Sequence, residues 1–415
     1  MGSYCLLSSP PLIVPLSRSS SFDLLCACSA AHPNPQQLAH IASLQSEDFD
    51  WKEFLQAAEH HGVAALAARN LIEHASTLPP EIRRSLDSIY ATNVRRSLWF
   101  AAELTRIMRT FAQKQIRAIP YKGPVLAQSA YGDLALRSFS DLDLLISPGD
   151  FSGAKQALAD LGYQPSKPQT PAIERLWLRT GYERSFDGPA GKNLVELQWS
   201  LLPYFYAVDP AQAEFRFDDL WTRAGRIALG ADGTPGEFSN TATDLPCLSP
   251  EDALVVLCLH AAKHLWTRLI WVADIAESLR LPDLDPARVV ERARALGITR
   301  ILCVSLWLAQ NLLDAALPSA AQRAIDDDQK VQQLGKECAA RLARGATYDF
   351  ESTEYFTQIT ALRERRRDRM RYLWRLVWTP GLGDVEAVAL PEFMFPFYRA
   401  VRIGRLLQKL AGVNH

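Results

Sequence analysis

A disulfide framework is missing from this sequence. Its seven cysteines, among them Cys26, Cys28, Cys247, Cys258, Cys303 and Cys338, are odd in number and scattered along 415 residues. Cys26 and Cys28 stand too close for an ordinary zinc knuckle, and no second pair follows at ligand spacing. Such usage predicts single thiols in a reducing cytoplasm. Charge of one sign is missing too: 45 Lys+Arg face 46 Asp+Glu, a net charge of -1. That balance provides no global field for nucleic acid or an acidic membrane. No apolar run reaches the roughly 18 residues of a membrane span. The apolar start, Leu6-Leu7 and Leu12-Ile13-Val14, is interrupted by Pro10, Pro11 and Pro15 with no preceding Lys or Arg, so it reads poorly as a signal peptide. Residues 1–20 are expected to be a disordered leader, or the product of a start codon placed too early.

With 48% hydrophobic and 22% charged residues, the rest has ample material for packed cores and is not a disordered chain. Its length predicts about two or three domains. Residues 21–115 read as helical. From Asp50 to Ala75 apolar residues recur at three- and four-residue spacing, with Asp50 as N-cap and Glu53 three residues on. After Pro79-Pro80 a long periodic stretch runs from Glu81 to about Lys114. The texture changes over 116–245. Arg117 to Tyr121 is short and apolar, Gly123-Pro124 opens a helix to about Tyr131, and Asp141 to Ile146 is a strand. A helix from about Asp150 to Leu161 and strands Tyr182 to Phe186 and Asn193 to Trp199 follow. Residues 246–415 are helical again, at Glu251 to Leu265, Trp271 to Leu281, Pro286 to Leu296, Ile298 to Ala316, Asp328 to Arg344, Phe356 to Trp378 and Phe397 to Leu410. The fold class is α+β: a small mixed sheet with helices, flanked by helical regions on both sides.

The most informative segment is Asp141-Leu142-Asp143-Leu144. Residues two apart on a strand share a face, so the carboxylates project together while the leucines enter the core. Side by side they repel unless a cation lies between them, and Mg²⁺ takes such oxygen ligands together with substrate phosphates. Glu196, in the apolar strand Leu194 to Trp199, supplies a third acid able to complete the site from an adjacent strand. Upstream, Gly123 allows close backbone approach to a ligand. Pro124 suits the first turn of a helix whose N-terminus attracts phosphate, and Lys122 adds a point charge. Arg137 is placed either to contact a triphosphate or to pair with an acidic neighbour. The plain alternatives are a solvated strand edge for Asp141 and Asp143 and a simple helix start for Gly123-Pro124.

Strand, glycine turn, helix, paired aspartates and a later acidic strand residue together resemble the polymerase-β-type nucleotidyltransferase superfamily. The chain is most similar to the bacterial group described as uncharacterised nucleotidyltransferase family proteins. The likeness rests on Tyr121-Lys-Gly-Pro, Tyr131-Gly-Asp-Leu-Ala-Leu-Arg137, Ser140-Asp-Leu-Asp-Leu-Leu145, Val195-Glu-Leu-Gln-Trp-Ser200, His260-Ala-Ala-Lys-His264 and Leu269-Ile-Trp-Val-Ala-Asp274. The resemblance implies that Asp141, Asp143 and Glu196 bind catalytic Mg²⁺, or Mn²⁺, with Glu196 nearest the attacking hydroxyl. It also implies that Gly123 and Lys122 lie against the triphosphate. Pro124 replaces the serine usual in the superfamily, and Gln198 stands where the closer group often has His. The implied reaction moves an NMP from an NTP to a hydroxyl with pyrophosphate release. Sequence leaves the acceptor open among a small molecule, a peptide, a protein and tRNA. A rival of another class is a nucleotide- or partner-binding module without turnover; a further alternative is a toxin-like enzyme acting on protein or tRNA.

His260 and His264 have the spacing of a zinc pair but no Glu between them to act as base. Packing between helices, substrate contact and a metal site all remain open for them, and Asp274 is placed to orient one imidazole. Seven arginines between Arg363 and Arg375, with Tyr372, Trp374 and Trp378 among or just after them, could bind RNA or a lipid headgroup. The plainer expectation is a solvated helix face over buried tryptophans.

Overall fold

The computed structural model describes residues 20–44, 49–189, 194–209, 211, 214–229, 243–347 and 352–410. The proposed leader thus lies outside the described residues, apart from Ser20. Five strands form one sheet: β1 (Ala118–Pro120), β2 (Asp141–Ile146), β3 (Gln164–Pro165), β4 (Glu183–Asp187) and β5 (Leu194–Gln198). Their spatial order is β1-β2-β5-β4-β3. Only β2 and β5 run parallel, with Asp143 aligned opposite Glu196. A separate hairpin pairs β6 (Gly225–Leu229) with β7 (Thr243–Cys247).

The N-terminal helices are α1 (Ser20–Ala27), α2 (Pro35–Ala42), α3 (Trp51–His60), α4 (Ala64–His74) and the long α5 (Pro80–Gln113). The sheet is interleaved with α6 (Gly123–Tyr131), α7 (Phe151–Asp160) and α8 (Pro171–Thr180), and α9 (Phe217–Arg223) precedes the hairpin. The remaining helices are α10 (Pro250–Lys263), α11 (Leu269–Ser278), α12 (Pro286–Leu296), α13 (Thr299–Leu313), α14 (Ser319–Asp326), α15 (Gln329–Ala343), α16 (Thr353–Leu362), α17 (Arg366–Trp378), α18 (Leu382–Ala387) and α19 (Tyr398–Leu410). Among the described residues no helix is long and apolar enough to cross a membrane.

Alternation along the strands divides the sheet's two faces. Leu142, Leu144, Ile146, Val195 and Leu197 pack into a core with Phe100, Leu104 and Phe111 of α5 and Phe151 and Leu158 of α7. Leu145, two residues beyond Asp143, belongs instead to a larger core built from α1, α3, α4 and the helices of 246–415. Asn70 binds the N-terminal helices to one another by donating to the carbonyls of Cys28 and Ala30, and two bonds cross to the C-terminal helices, Gln37 donating to the Leu313 carbonyl and the Ala31 amide to Glu277 Oε1. The carboxylate face of the sheet therefore looks toward the C-terminal helices.

Three expected elements differ in detail. The periodic stretch after Asp50 breaks at Gly62, whose φ of 73° is left-handed, and Asp50 caps α3 by accepting from the Glu53 amide at 2.9 Å. The stretch expected as one helix over Phe356 to Trp378 is two, α16 and α17, because the backbone is extended at Arg363 and Arg365. Arg363 is fully buried there, so tertiary packing overrides a sequence with no Gly or Pro at the break. The third difference is that helices α8, α9, α14 and α18, strand β3 and the β6–β7 hairpin form where no such element was expected.

His61, at the end of α3, is buried; its ring accepts from the Leu269 amide at 3.4 Å and its carbonyl from Ile270. Burial, reinforced by His60 and Arg268, lowers its pKa from 6.5 to about 4. The unfolded chain therefore takes up the proton first. His61's contribution to stability is complete above pH 6.5 and is lost as pH falls toward 4, an amount of about 3 kcal/mol. Chemical denaturation across that window should give a steeper acid loss for the native protein than for His61→Gln. Equal slopes would remove His61 from the account.

Candidate functional site

Three carboxylates meet on the inner face of the sheet because β2 and β5 are parallel and in register. Asp141 and Asp143 share a face by strand alternation, and Glu196 is the cross-strand partner of Asp143. β4 adds Glu183, opposite Gln198 on β5. Such crowding is costly in a poorly hydrated place, and the acids respond to it. Burial, compounded by Asp143, Glu183 and Asp141, pushes Glu196 up to about 8. Burial and the charge of Asp143 also raise Asp141, against the pull of Lys122 and Arg137.

Two side chains hold the acids in place. The Lys122 ammonium lies 2.8 Å from Asp143 Oδ1, both groups being buried. Burial opposes its charge, but Asp143 and Asp141 outweigh that effect and hold its pKa above the ordinary value. Gln198 Nε2 lies 3.0 Å from Asp143 Oδ1, 3.2 Å from Glu196 Oε2 and 3.3 Å from Glu183 Oε2. Its other end, Oε1, accepts from the Tyr121 hydroxyl at 2.5 Å, which fixes the amide orientation. Asp143 Oδ2 is buried without a hydrogen-bond partner. An oxyanion so placed has strong unspent affinity for a cation.

Lys122 and Gly123 form the joint between β1 and α6. Gly123 has φ 53°, and a Cβ there would lie 3.3 Å from the Asp141 carbonyl. Left-handed geometry and this close approach together require glycine. Gly123→Ala should lower unfolding free energy by about 1 kcal/mol or more and displace the β2 carboxylates. Unchanged stability would mean that the joint relaxes freely.

Arg137 is buried and forms a two-pronged ion pair with Asp274 of α11, Nε to Oδ1 at 2.7 Å and Nη2 to Oδ2 at 2.9 Å. Tyr131 donates to the same Oδ1 at 2.8 Å. The carboxylate of Asp274 is thus engaged by Arg137 and Tyr131, and the group ties the segment between α6 and β2 to the C-terminal helices.

His260 and His264 pack together edge-to-face, with ring centroids 4.9 Å apart. Trp271 stacks on His264 at 4.8 Å and meets His260 edge-on at 5.6 Å. This packing follows a strained turn: Leu265 and Trp266, both buried, are left-handed, which turns the chain sharply from α10 into α11. Burial holds both imidazoles well below their usual pKa, with Lys122 the next cause for His260 and Lys263 for His264. Both rings are therefore neutral and face a cationic corner of the site.

Sequence reasoning did not single out Lys263, Glu183, Tyr121 or Tyr182. Lys263 donates to the Tyr182 hydroxyl at 3.1 Å and lies over its ring. Burial lowers its pKa, and Lys122 adds to that, despite the attraction of Glu183, Glu196 and Asp143, so a second lysine lies in the electrostatic field of the acids. One signal was readable: Lys263 lies three residues after His260, on the same helix face. For Gln198 the signal was its position two residues beyond Glu196 on a strand. Among the described residues no three His, Cys, Asp or Glu side chains are gathered closely enough to hold an ion as they stand, because Lys122 and Gln198 lie between the acids. A separate cavity near Arg109, Arg117 and Trp221, beside the β6–β7 hairpin, does not include any of these acids.

The sheet thus aligns acids on parallel neighbouring strands, beside a glycine-opened helix and two buried lysines. The chain belongs to the family described as uncharacterised nucleotidyltransferase, which it matches over residues 47–314. That span holds every site residue named above and makes the protein a nucleotidyltransferase by family. No curated protein and no solved structure matches the chain.

Proposed function

We propose that the protein transfers a nucleoside monophosphate from an NTP to a hydroxyl, with release of pyrophosphate, using Mg²⁺ or Mn²⁺ held by Asp141, Asp143 and Glu196. The observation that carries this reading is the in-register pairing of Asp143 with Glu196, together with the unpartnered, buried Oδ2 of Asp143. The donor set is all oxygen and strongly anionic, which suits a hard divalent ion. Bound there, such ions would neutralise the triphosphate and favour the ionised acceptor hydroxyl.

The remaining work falls to the chain's own groups. The acceptor oxygen attacks the α-phosphorus, a new P–O bond forms, and the bond to the bridging α–β oxygen breaks. Pyrophosphate leaves with that electron pair. Glu196, held ionised once the cation is bound beside it, takes the hydroxyl proton. Lys122 and Lys263 offset charge on the departing phosphates, and the N-terminus of α6 adds unpaired N–H groups. The neutral imidazoles of His260 and His264 line the same side as Lys263.

One observation favours the second reading, a nucleotide-binding module without turnover: Lys122 already neutralises Asp143. Incubation with labelled NTPs, Mg²⁺ or Mn²⁺ and cell extract separates the two. A labelled acceptor with pyrophosphate release supports the transferase. Stoichiometric nucleotide binding without product supports the module. The size of the labelled acceptor distinguishes a small molecule or peptide from a protein or tRNA.

A further inference from the structure

Helix α17 has two apolar faces, and only one of them is covered. Tyr372 and Leu376 are buried against the body of the protein. On the other side Met370, Leu373, Trp374, Val377 and Trp378, at helical spacing, are all exposed, Met370 at 67% and Trp374 at 64%. The tryptophans were expected to be buried; instead they stack on one another in the open, with ring centroids 5.3 Å apart. In the segment before α19, which packs on α17, Phe393 and Phe397 are exposed as well, at 82% and 59%. A concentration of large apolar side chains in solvent marks an interaction surface.

Its charge is one-sided. Arg366 and Arg367 are exposed at the start of α17, and the exposed Arg399 of α19 lies over the Trp378 ring at 5.3 Å. Asp368, the one acid of α17, is buried. The acids at the border, Glu386 and Glu392, are paired with Lys167 and Arg175. Aromatic and aliphatic side chains beside arginines fit the boundary of an anionic bilayer, where tryptophan rings lie at headgroup depth and arginines meet lipid phosphate. A second copy of the same basic face would be repelled. An RNA partner would use the stacked tryptophans but gain little from Met370, Leu373 and Val377.

We infer that the α17–α19 face docks the protein peripherally on an anionic membrane surface. The inference does not depend on the chemistry proposed for the carboxylate site. The surface does connect with that site: Arg375 covers the exposed ring of Tyr204 at 4.0 Å, and Tyr206, two residues on, donates to the Lys263 carbonyl. Docking would therefore bring the Lys263 side of the site close to the bilayer.

The test is flotation of the full chain with phosphatidylcholine vesicles, with and without phosphatidylglycerol, alongside tryptophan emission. Flotation only with phosphatidylglycerol, a shift of emission to shorter wavelength, and release at high salt are expected. The pair Trp374→Ser and Trp378→Ser should weaken vesicle binding at least about tenfold with nucleotide binding unchanged. Met370→Ser, a milder change, should weaken it less. Failure to float with either vesicle overturns the inference. So does a dimer whose tryptophans are shielded from a soluble quencher without lipid, or binding that is seen with RNA alone and lost in the same variants.

Discussion

Asp143→Asn should reduce nucleotidyl transfer by at least about a thousandfold, equivalent to about 4 kcal/mol of barrier, while the protein remains folded. The asparagine side chain keeps the shape and an oxygen able to accept from Lys122 and Gln198, so both contacts to Oδ1 survive. What disappears is the charge at the unpartnered Oδ2 and its repulsion of Glu196 and Asp141. Loss of ion pairing and relief of repulsion act in opposite directions on stability, which should change little. Binding of a divalent cation should not survive. Mg²⁺ or Mn²⁺ is expected to raise the melting temperature of the native protein and to leave Asp143→Asn unmoved. Asp141→Asn should behave similarly. Full transfer activity in both variants would remove the metal-bound carboxylate mechanism, and an equal melting shift in both would remove the metal site.

The second large effect concerns folding. Arg137→Ala or Asp274→Ala should each cost about 3–5 kcal/mol, because either leaves a buried charge without its partner. Their side chains are 7% and 1% exposed, so water cannot replace what is lost. Arg137→Lys should recover only part of the stability, since an ammonium cannot reproduce the two-pronged contact. Tyr131→Phe should cost about 1 kcal/mol, the usual worth of one hydrogen bond. In a double-mutant cycle measured by denaturant unfolding, the paired Ala variants should lose markedly less than the sum of the singles. Strict additivity would show that the ion pair contributes no coupling.

These expectations divide according to how far apart in sequence their causes lie. The shared direction of Asp141 and Asp143 was legible because two-residue spacing on a strand dictates it. The boundaries of α6, Gly123–Tyr131, and of β2, Asp141–Ile146, were legible too, since glycine, proline and apolar alternation are local signals. Gln198 could be placed on the Glu196 face by the same spacing, but not its role: Tyr121 orients it from β1's end while it bridges three acids. That Arg137 meets Asp274 was equally hidden, the two standing 137 positions apart. So was the break at Arg363, where burial rather than a breaker residue ends the helix.

Sequence by itself determined the α+β class, the paired aspartates and the glycine joint, because each follows from the periodicity and backbone preferences of adjacent residues. Tertiary structure decided that β5 lies parallel to β2 with Glu196 against Asp143, that Lys263 of α10 meets Tyr182 within the field of the acids, and that Trp374 and Trp378 face outward. Those outcomes depend on which apolar faces find each other across long loops. Strand register and helix docking are set by packing between distant segments, and no local pattern encodes them.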